Sequence, residues 1–130
     1  MAVRVLLIDT HEDARTSLAR RLSRDPELEI VGCASSVAEA ATILPRARPD
    51  IVLLDIHRSN GDGADDCREL RQLTEAPVVA FASFLTPELW QAVKKAGAVD
   101  ALLKQIDTDQ LCREIRRLAE RHGRGTARKA

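Results

Sequence analysis

Residues 51–54, Ile-Val-Leu-Leu, put four apolar side chains in a row, two of them β-branched, between Pro49-Asp50 and Asp55. An unbroken apolar run this short, bounded by turn residues, suits a strand buried on both faces, as in a parallel sheet. Asp55 then stands at the carboxyl end of that strand, the edge where open α/β sheets bind ligands. A lone aspartate after a strand is ordinarily a turn residue or a helix cap. What raises Asp55 above that is the rest of the chain.

The run is one of five. Val3–Ile8 (VRVLLI) reads as a strand ending at Asp9, followed by an amphipathic helix with Ala14, Leu18 and Leu22 at four-residue spacing that stops near Pro26. Leu28–Cys33 is a second strand. Ser36 and Glu39 form a capping box for a helix carrying Val37, Ala40, Ala41 and Leu44, and Pro45 and Pro49 close that unit. After the central strand come a polar loop, 57–63, and a helix with Cys67, Leu70 and Leu73. Pro77–Ala82 is a fourth strand. Thr86-Pro87-Glu88 then starts a helix with a capping hydroxyl, proline at the first helical position and an acid in the first turn. That helix carries Leu89, Trp90 and Val93 and stops at Gly97. Asp100–Lys104 is a fifth strand, and a last helix runs from about Thr108 to Arg121 with Leu111, Ile115 and Leu118 on one face.

Strands alternating with helices predict a doubly wound parallel sheet, five strands in the order 2-1-3-4-5, with five helices covering both faces. Residues 1–122 form one domain in this reading, and the basic tail 123–130 is expected to be disordered. Twenty basic and twenty acidic residues cancel, so no overall field favours nucleic acid or membrane. No apolar run reaches a membrane span and no signal peptide is apparent, so a cytoplasmic location is expected. The three cysteines lack metal-ligand spacing and read as reduced thiols, with Cys67 and Cys112 on apolar helix faces. With no Tyr, two Phe and one Trp, the core must be aliphatic, and stacking on nucleic-acid bases has few candidates.

In the 2-1-3-4-5 order the first and third strands are neighbours, so Asp9 and Asp55 end on one edge. Two converging carboxylates repel and call for a cation or a proton. Oxygen ligands with room for waters are how proteins hold Mg²⁺ near phosphate, and a carboxylate beside such an ion is a competent nucleophile toward a phosphorylated donor. Lys104, ending the fifth strand, is the one lysine placed to reach the new phosphoryl group.

With IDTH at 8–11, RPDIVLLDI at 48–56, DG at 62–63 and AGAVDALLK at 96–104, the chain resembles the receiver domain of bacterial two-component response regulators, a flavodoxin-like fold, over roughly residues 3–121. The resemblance implies that Asp55 is the phosphoacceptor, Lys104 the phosphate-contacting lysine, and Asp9, Asp55 and the backbone carbonyl of His57 the Mg²⁺ ligands. It implies a sensor histidine kinase or other signalling protein as partner, and homodimerisation through the fourth and fifth helices. No enzyme activity is implied beyond assistance to its own phosphotransfer and dephosphorylation. The segment EIVGCASSVAEAATILPRARPD resembles receivers that precede a helix-turn-helix DNA-binding domain. No such domain lies within these residues, so the chain is either a stand-alone receiver or a piece of a longer regulator, with no direct nucleic-acid binding by this domain.

Departures from the family pattern weaken the switch more than the nucleophile. Thr10 stands where a second pocket acid is usual, which lowers the expected affinity for Mg²⁺, and Glu12 and Asp13 read as first-turn helix acids rather than substitutes. Arg58-Ser59 replaces the usual Met-Pro pair. Ala82 falls at the switch Ser/Thr position, with Ser83 facing the other way; Ala101 falls at the switch aromatic and Gln105 at the proline after the lysine. A phosphoryl group without differential contacts to two states shifts no equilibrium. The expectation is an atypical receiver, phosphorylated weakly or not at all. The alternative is a phosphorylation-independent pseudo-receiver acting as a protein-interaction module. A small α/β nucleotide-binding protein or enzyme is more remote, because no glycine-rich phosphate loop follows the first strand and no nucleophile elbow is present.

Other residues have ordinary readings. His11 and His57 read as solvent-facing loop histidines, with proton transfer as the sharper role for His11. The arginines from Arg113 to Arg128 read as a solvated helix face and tail. Trp90 is a partner anchor if exposed and core if buried.

Overall fold

The structure, a computed structural model, describes residues 2–56 and 63–122. The elements run β1 (Val3–Ile8), α1 (Glu12–Leu22), β2 (Leu28–Ala34), α2 (Val37–Ala47), β3 (Ile51–Asp55), α3 (Ala64–Leu73), β4 (Val78–Ala82), α4 (Pro87–Lys95), β5 (Asp100–Leu103) and α5 (Thr108–His122). The strands form one parallel sheet in the order β2-β1-β3-β4-β5, as the alternation of strand and helix predicts.

Because successive side chains on a strand point to opposite faces, each strand feeds two cores. Leu6, Ile8, Val52, Leu54, Val78 and Ala80 pack with Val37, Ala40, Leu44, Cys67, Leu70 and Val93, under α2, α3 and α4. Val5, Leu7, Ile51, Leu53, Val79 and Phe81 pack with Leu18, Leu22, Leu111, Ile115 and Leu118, under α1 and α5. All five residues of β3 are buried, so its uninterrupted apolar run reports its central place in the sheet. The β1–β2 register slips between Val5 and Leu6, whose partners are Ile30 and Gly32, leaving Val31 as an extra residue on the edge strand.

The caps are where sequence and structure agree most closely. Ser36 Oγ accepts the Glu39 N–H at 3.1 Å, and the Glu39 carboxylate reaches back to the N–H of Ser35, one residue earlier than in the usual capping box. Thr86 Oγ1 accepts the Leu89 N–H at 3.0 Å. After α4, the Gly97 N–H donates to Lys94 O and the Ala98 N–H to Val93 O, a Schellman pair that Gly97 permits at φ +113°.

Some expectations need correction. Pro45 does not close the second helix; α2 runs through it to Ala47 and ends where Arg48 adopts a left-handed conformation at φ 47°. Burial of Leu44 and Ala47 on either side of the proline outweighs the missing N–H. Arg4 then holds the turn, donating to Ala47 O at 2.7 Å and Arg48 O at 3.2 Å. Ala14 is exposed with the rest of the first turn of α1, so the buried stripe begins at Leu18. Leu73, expected on the buried face of α3, ends that helix 42% exposed. β4 begins at Val78 rather than Pro77 and β5 ends at Leu103 rather than Lys104.

Candidate functional site

β1 and β3 lie side by side with Ile8 opposite Leu54, so the residues that follow, Asp9 and Asp55, emerge together at the carboxyl edge. Both are buried, Asp9 to 4% exposure and Asp55 to 9%. Asp9 is fixed by its own main chain. Its N–H donates to Ala34 O at 2.9 Å, its carbonyl accepts Arg15 Nη1 at 2.7 Å, and its Oδ1 accepts the His11 N–H at 2.9 Å in an Asx turn that leads into α1.

Lys104 comes from two strands away. Its main-chain N–H donates to Ala82 O at 2.8 Å, which extends the β4–β5 ladder by one residue. From there the side chain spans β4 and makes an ion pair with Asp55 Oδ1, the ammonium a quarter exposed and the carboxylate almost wholly buried. A half-shielded amine on a buried carboxylate is held by Coulomb attraction that water screens only in part.

Asp9, Asp55 and Lys104 are therefore brought to one rim. Sequence reading put His11 beside the acidic edge, as a loop histidine with proton transfer as its sharper role, and did not count it among the metal ligands. Its imidazole is exposed, yet Nδ1 lies 3.8 Å from Asp9 Oδ1, and ligand atoms of Asp9, His11 and Asp55 lie within 4.8 Å of one another. The available signal was position: a residue two beyond Asp9, bound to that carboxylate through its own N–H, cannot project far from it. Thr10, Glu12 and Asp13 are exposed, the last two in the first turn of α1 as expected. His57, whose backbone carbonyl was expected as a ligand, lies outside the described residues, as do Arg58, Ser59 and Asp62.

The donor set of two buried carboxylates suits a hard divalent cation, which commonly takes one or two carboxylates and completes its shell with water or phosphate oxygen. Around the rim, Ala82 is 2% exposed and Ala101 half-buried against the same core, Ser83 is exposed, and Gln105 Nε2 donates to Ser83 O at 3.0 Å. Trp90 is half-buried against that core with the Lys94 ammonium 5.0 Å from its ring centroid, so it is neither a bare anchor nor fully core. Cys67 and Cys112 are buried, as their apolar helix faces implied, and Cys33 is exposed. Burial pushes the Cys112 thiol pKa up, with Asp25 adding to it. Among the described residues, no helix is long and apolar enough to cross a membrane.

The comparisons with known proteins agree with this geometry. The family model described as the response regulator receiver domain matches residues 5–116. The chain is 36% identical over 115 residues to the DNA-binding transcriptional activator DevR/DosR of Mycobacterium tuberculosis, covering 88% of this chain and 53% of that protein. It is 32% identical over 115 residues to the transcriptional regulatory protein LiaR of Bacillus subtilis, covering 88% and 54%. The chain thus spans about half the length of these curated relatives. Among solved structures, the signal receiver domain of the response regulator NarL from Mycobacterium tuberculosis superposes with a TM-score of 0.81 at 26% identity, covering 92% of this chain and 97% of that one. Sheet order, the carboxylate rim and a family match over most of the chain lead to one conclusion: this protein belongs to the response regulator receiver domain family.

Proposed function

We infer that this domain accepts a phosphoryl group on Asp55, slowly, and transmits the change weakly, as an atypical receiver of a two-component system. The observation that carries the reading is the Lys104–Asp55 ion pair across β4, with Asp9 beside the same carboxylate. Asp55 is the nucleophile. One carboxylate oxygen attacks phosphorus in a phosphorylated donor, either the phosphohistidine of a sensor kinase or a small acyl phosphate. The new O–P bond forms as the donor's bond to phosphorus breaks, and that electron pair leaves with the donor. An ionised carboxylate needs no base for this step. Lys104 then shifts its ion pair from the carboxylate to the phosphoryl oxygens.

Asp9, Asp55 and the backbone carbonyl of His57 would hold Mg²⁺, which when bound offsets the charge of the phosphoryl oxygens. Thr10 adds no charge to that set, so the affinity is weak. Ala82 and Ala101 pack against the core beneath α4 without a hydroxyl or a ring that a phosphoryl group could reposition. With little differential contact between two states, the modification moves the output surface little.

The domain exchanges signals with a sensor kinase or another signalling protein in the cytoplasm, and it pairs through the α4/α5 region. Phe84, 64% exposed, and Leu103, 44% exposed, support that surface. Nothing in this reading has the domain bind nucleic acid directly or act as an enzyme beyond its own phosphorylation and dephosphorylation. Mass spectrometry after incubation with acetyl phosphate and Mg²⁺ tests it. A slow, partial gain of one phosphoryl group, lost in Asp55→Asn, is expected. Rapid stoichiometric labelling overturns the weak-acceptor reading, and no labelling at all leaves a phosphorylation-independent interaction module in its place.

A further inference from the structure

The surface over α1 and α5 departs from the even charge of the chain as a whole. A cavity of about 310 Å³ lies there, and four guanidiniums line it: Arg21 and Arg24 from α1 and the turn after it, Arg113 and Arg116 from α5. Two carboxylates, Asp25 and Asp109, share the lining, so two positive charges are in excess. We propose that this cleft binds a diphosphate group, either free or carried by a nucleotide. None of Asp9, His11, Asp55 and Lys104 lines it, so the site is separate from the acidic rim.

The four guanidiniums are held differently. Arg116 pairs with Asp25 and reaches Glu27 at 3.9 Å, which ties α5 to the turn after α1. Arg21 donates through Nε to Thr108 Oγ1 at 2.9 Å, a neutral acceptor that orients the side chain without cancelling its charge. Arg24 and Arg113 are exposed and make no ion pair among the described residues. Asp25 is engaged by Arg116 and by the Glu27 N–H, which leaves Asp109 as the lining carboxylate that opposes an anion. These charges converge on one place: Arg21, Arg116, Asp25 and Asp109 all act on the buried Cys112 thiol, which also lines the cleft.

Guanidinium forks match phosphate oxygens two at a time, and such charge-assisted bonds are the strong ones. Donors stand on both walls. Two linked phosphates can therefore give one group to Arg21 and Arg24 and the other to Arg113, whereas a single phosphate satisfies one wall. The volume is at the small end of small-molecule sites. No aromatic side chain lines the cleft, so a nucleobase gains no stacking and the diphosphate carries the recognition. A ligand held from both walls clamps α1 to α5 and stabilises the folded chain by mass action.

Calorimetric titration of the 130-residue chain with pyrophosphate, ADP and orthophosphate in turn tests the proposal, at fixed ionic strength and without divalent cations. Pyrophosphate and ADP are expected to bind one-to-one and to raise the thermal midpoint, and orthophosphate to bind more weakly. Tighter binding of ADP identifies a nucleotide as the source of the diphosphate, and tighter binding of pyrophosphate the free ion. The double variant Arg24→Gln with Arg113→Gln should weaken pyrophosphate at least about tenfold. Its melt without ligand should match the parent, since both side chains are exposed. Asp109→Asn should tighten binding by removing the opposing charge. The double variant Arg46→Gln with Lys95→Gln removes the same charge from exposed positions on α2 and α4 and should keep the parent affinity. Failure of both pyrophosphate and ADP to bind, equal losses in the two double variants, or orthophosphate binding as tightly as pyrophosphate would each overturn the proposal.

Discussion

β3 carries a buried aspartate at each end, and the two do opposite work. Asp50, just before the strand and 3% exposed, accepts the Arg4 N–H on Oδ2 at 2.9 Å, while its own N–H donates to Arg4 O at 2.7 Å. The Arg4 side chain continues to the last carbonyls of α2 and to Glu29. Asp55, at the far end, pairs instead with the side chain of Lys104 and faces Asp9 and His11. Burial is alike and so is residue type. What differs is the partner: a main-chain amide cannot leave, whereas an ammonium on a flexible stem can. The first arrangement builds a joint in the fold, and the second keeps a carboxylate ready to exchange its partner.

The largest effect expected from breaking this contrast is functional. Asp55→Asn should abolish labelling by acetyl phosphate, while its urea midpoint stays near or above that of the parent, because a neutral amide relieves the carboxylate crowding at the rim. Asp50→Ala should do the reverse. Removing the acceptor leaves the Arg4 amide without it in a buried strand, and about 1–3 kcal/mol of stability should be lost in urea unfolding with labelling retained. If Asp50→Ala unfolds no more easily than the parent, the joint is not one.

Lys104→Met sharpens the other side. It strands Asp55 without its ammonium, and since that group is a quarter exposed, the loss should be nearer 1 kcal/mol than the full cost of breaking a buried pair. The double variant Lys104→Met with Asp55→Asn should recover most of it, which a double-mutant cycle reads directly.

The smallest effect belongs to a third carboxylate, Glu39, held by a main-chain amide at the surface. The Ser35 N–H, and then its hydroxyl, hold its pKa below the usual carboxylate range. A depressed folded pKa gives stability that is present above the unfolded value and lost as pH falls through the folded one. Urea midpoints of the parent and Glu39→Gln should therefore differ slightly at neutral pH and converge once the pH has fallen below the folded-state pKa, under the ordinary carboxylate range.

Much of this was legible in the chain because local chemistry and tertiary position agree. The Ile51–Leu54 run, the Ser36 and Thr86 caps and Gly97 each have one physical explanation, and the structure uses it. Pro45 misled because proline's local cost was weighed without the burial of Leu44 and Ala47, which is a property of the packed sheet. The two ends of β3 could be told apart only through chain direction, which places the ligand edge at Asp55. Asp50 looked like a turn residue, since nothing local announces a bond to Arg4, 46 residues away. His11 was legible as an exposed residue beside the acidic edge, but the Asx turn that brings its Nδ1 to 3.8 Å from Asp9 Oδ1 is a matter of backbone geometry that residue type alone does not announce.

The misfit at Val31 on β2 bears on how copies of this domain can meet. An added residue twists that margin of the sheet out of regular pairing, and the opposite margin, β5, offers only four residues to a neighbour. Neither rim is a template for joining sheets end to end. That irregularity on one margin and that brevity on the other disfavour fibrous stacking of crowded molecules.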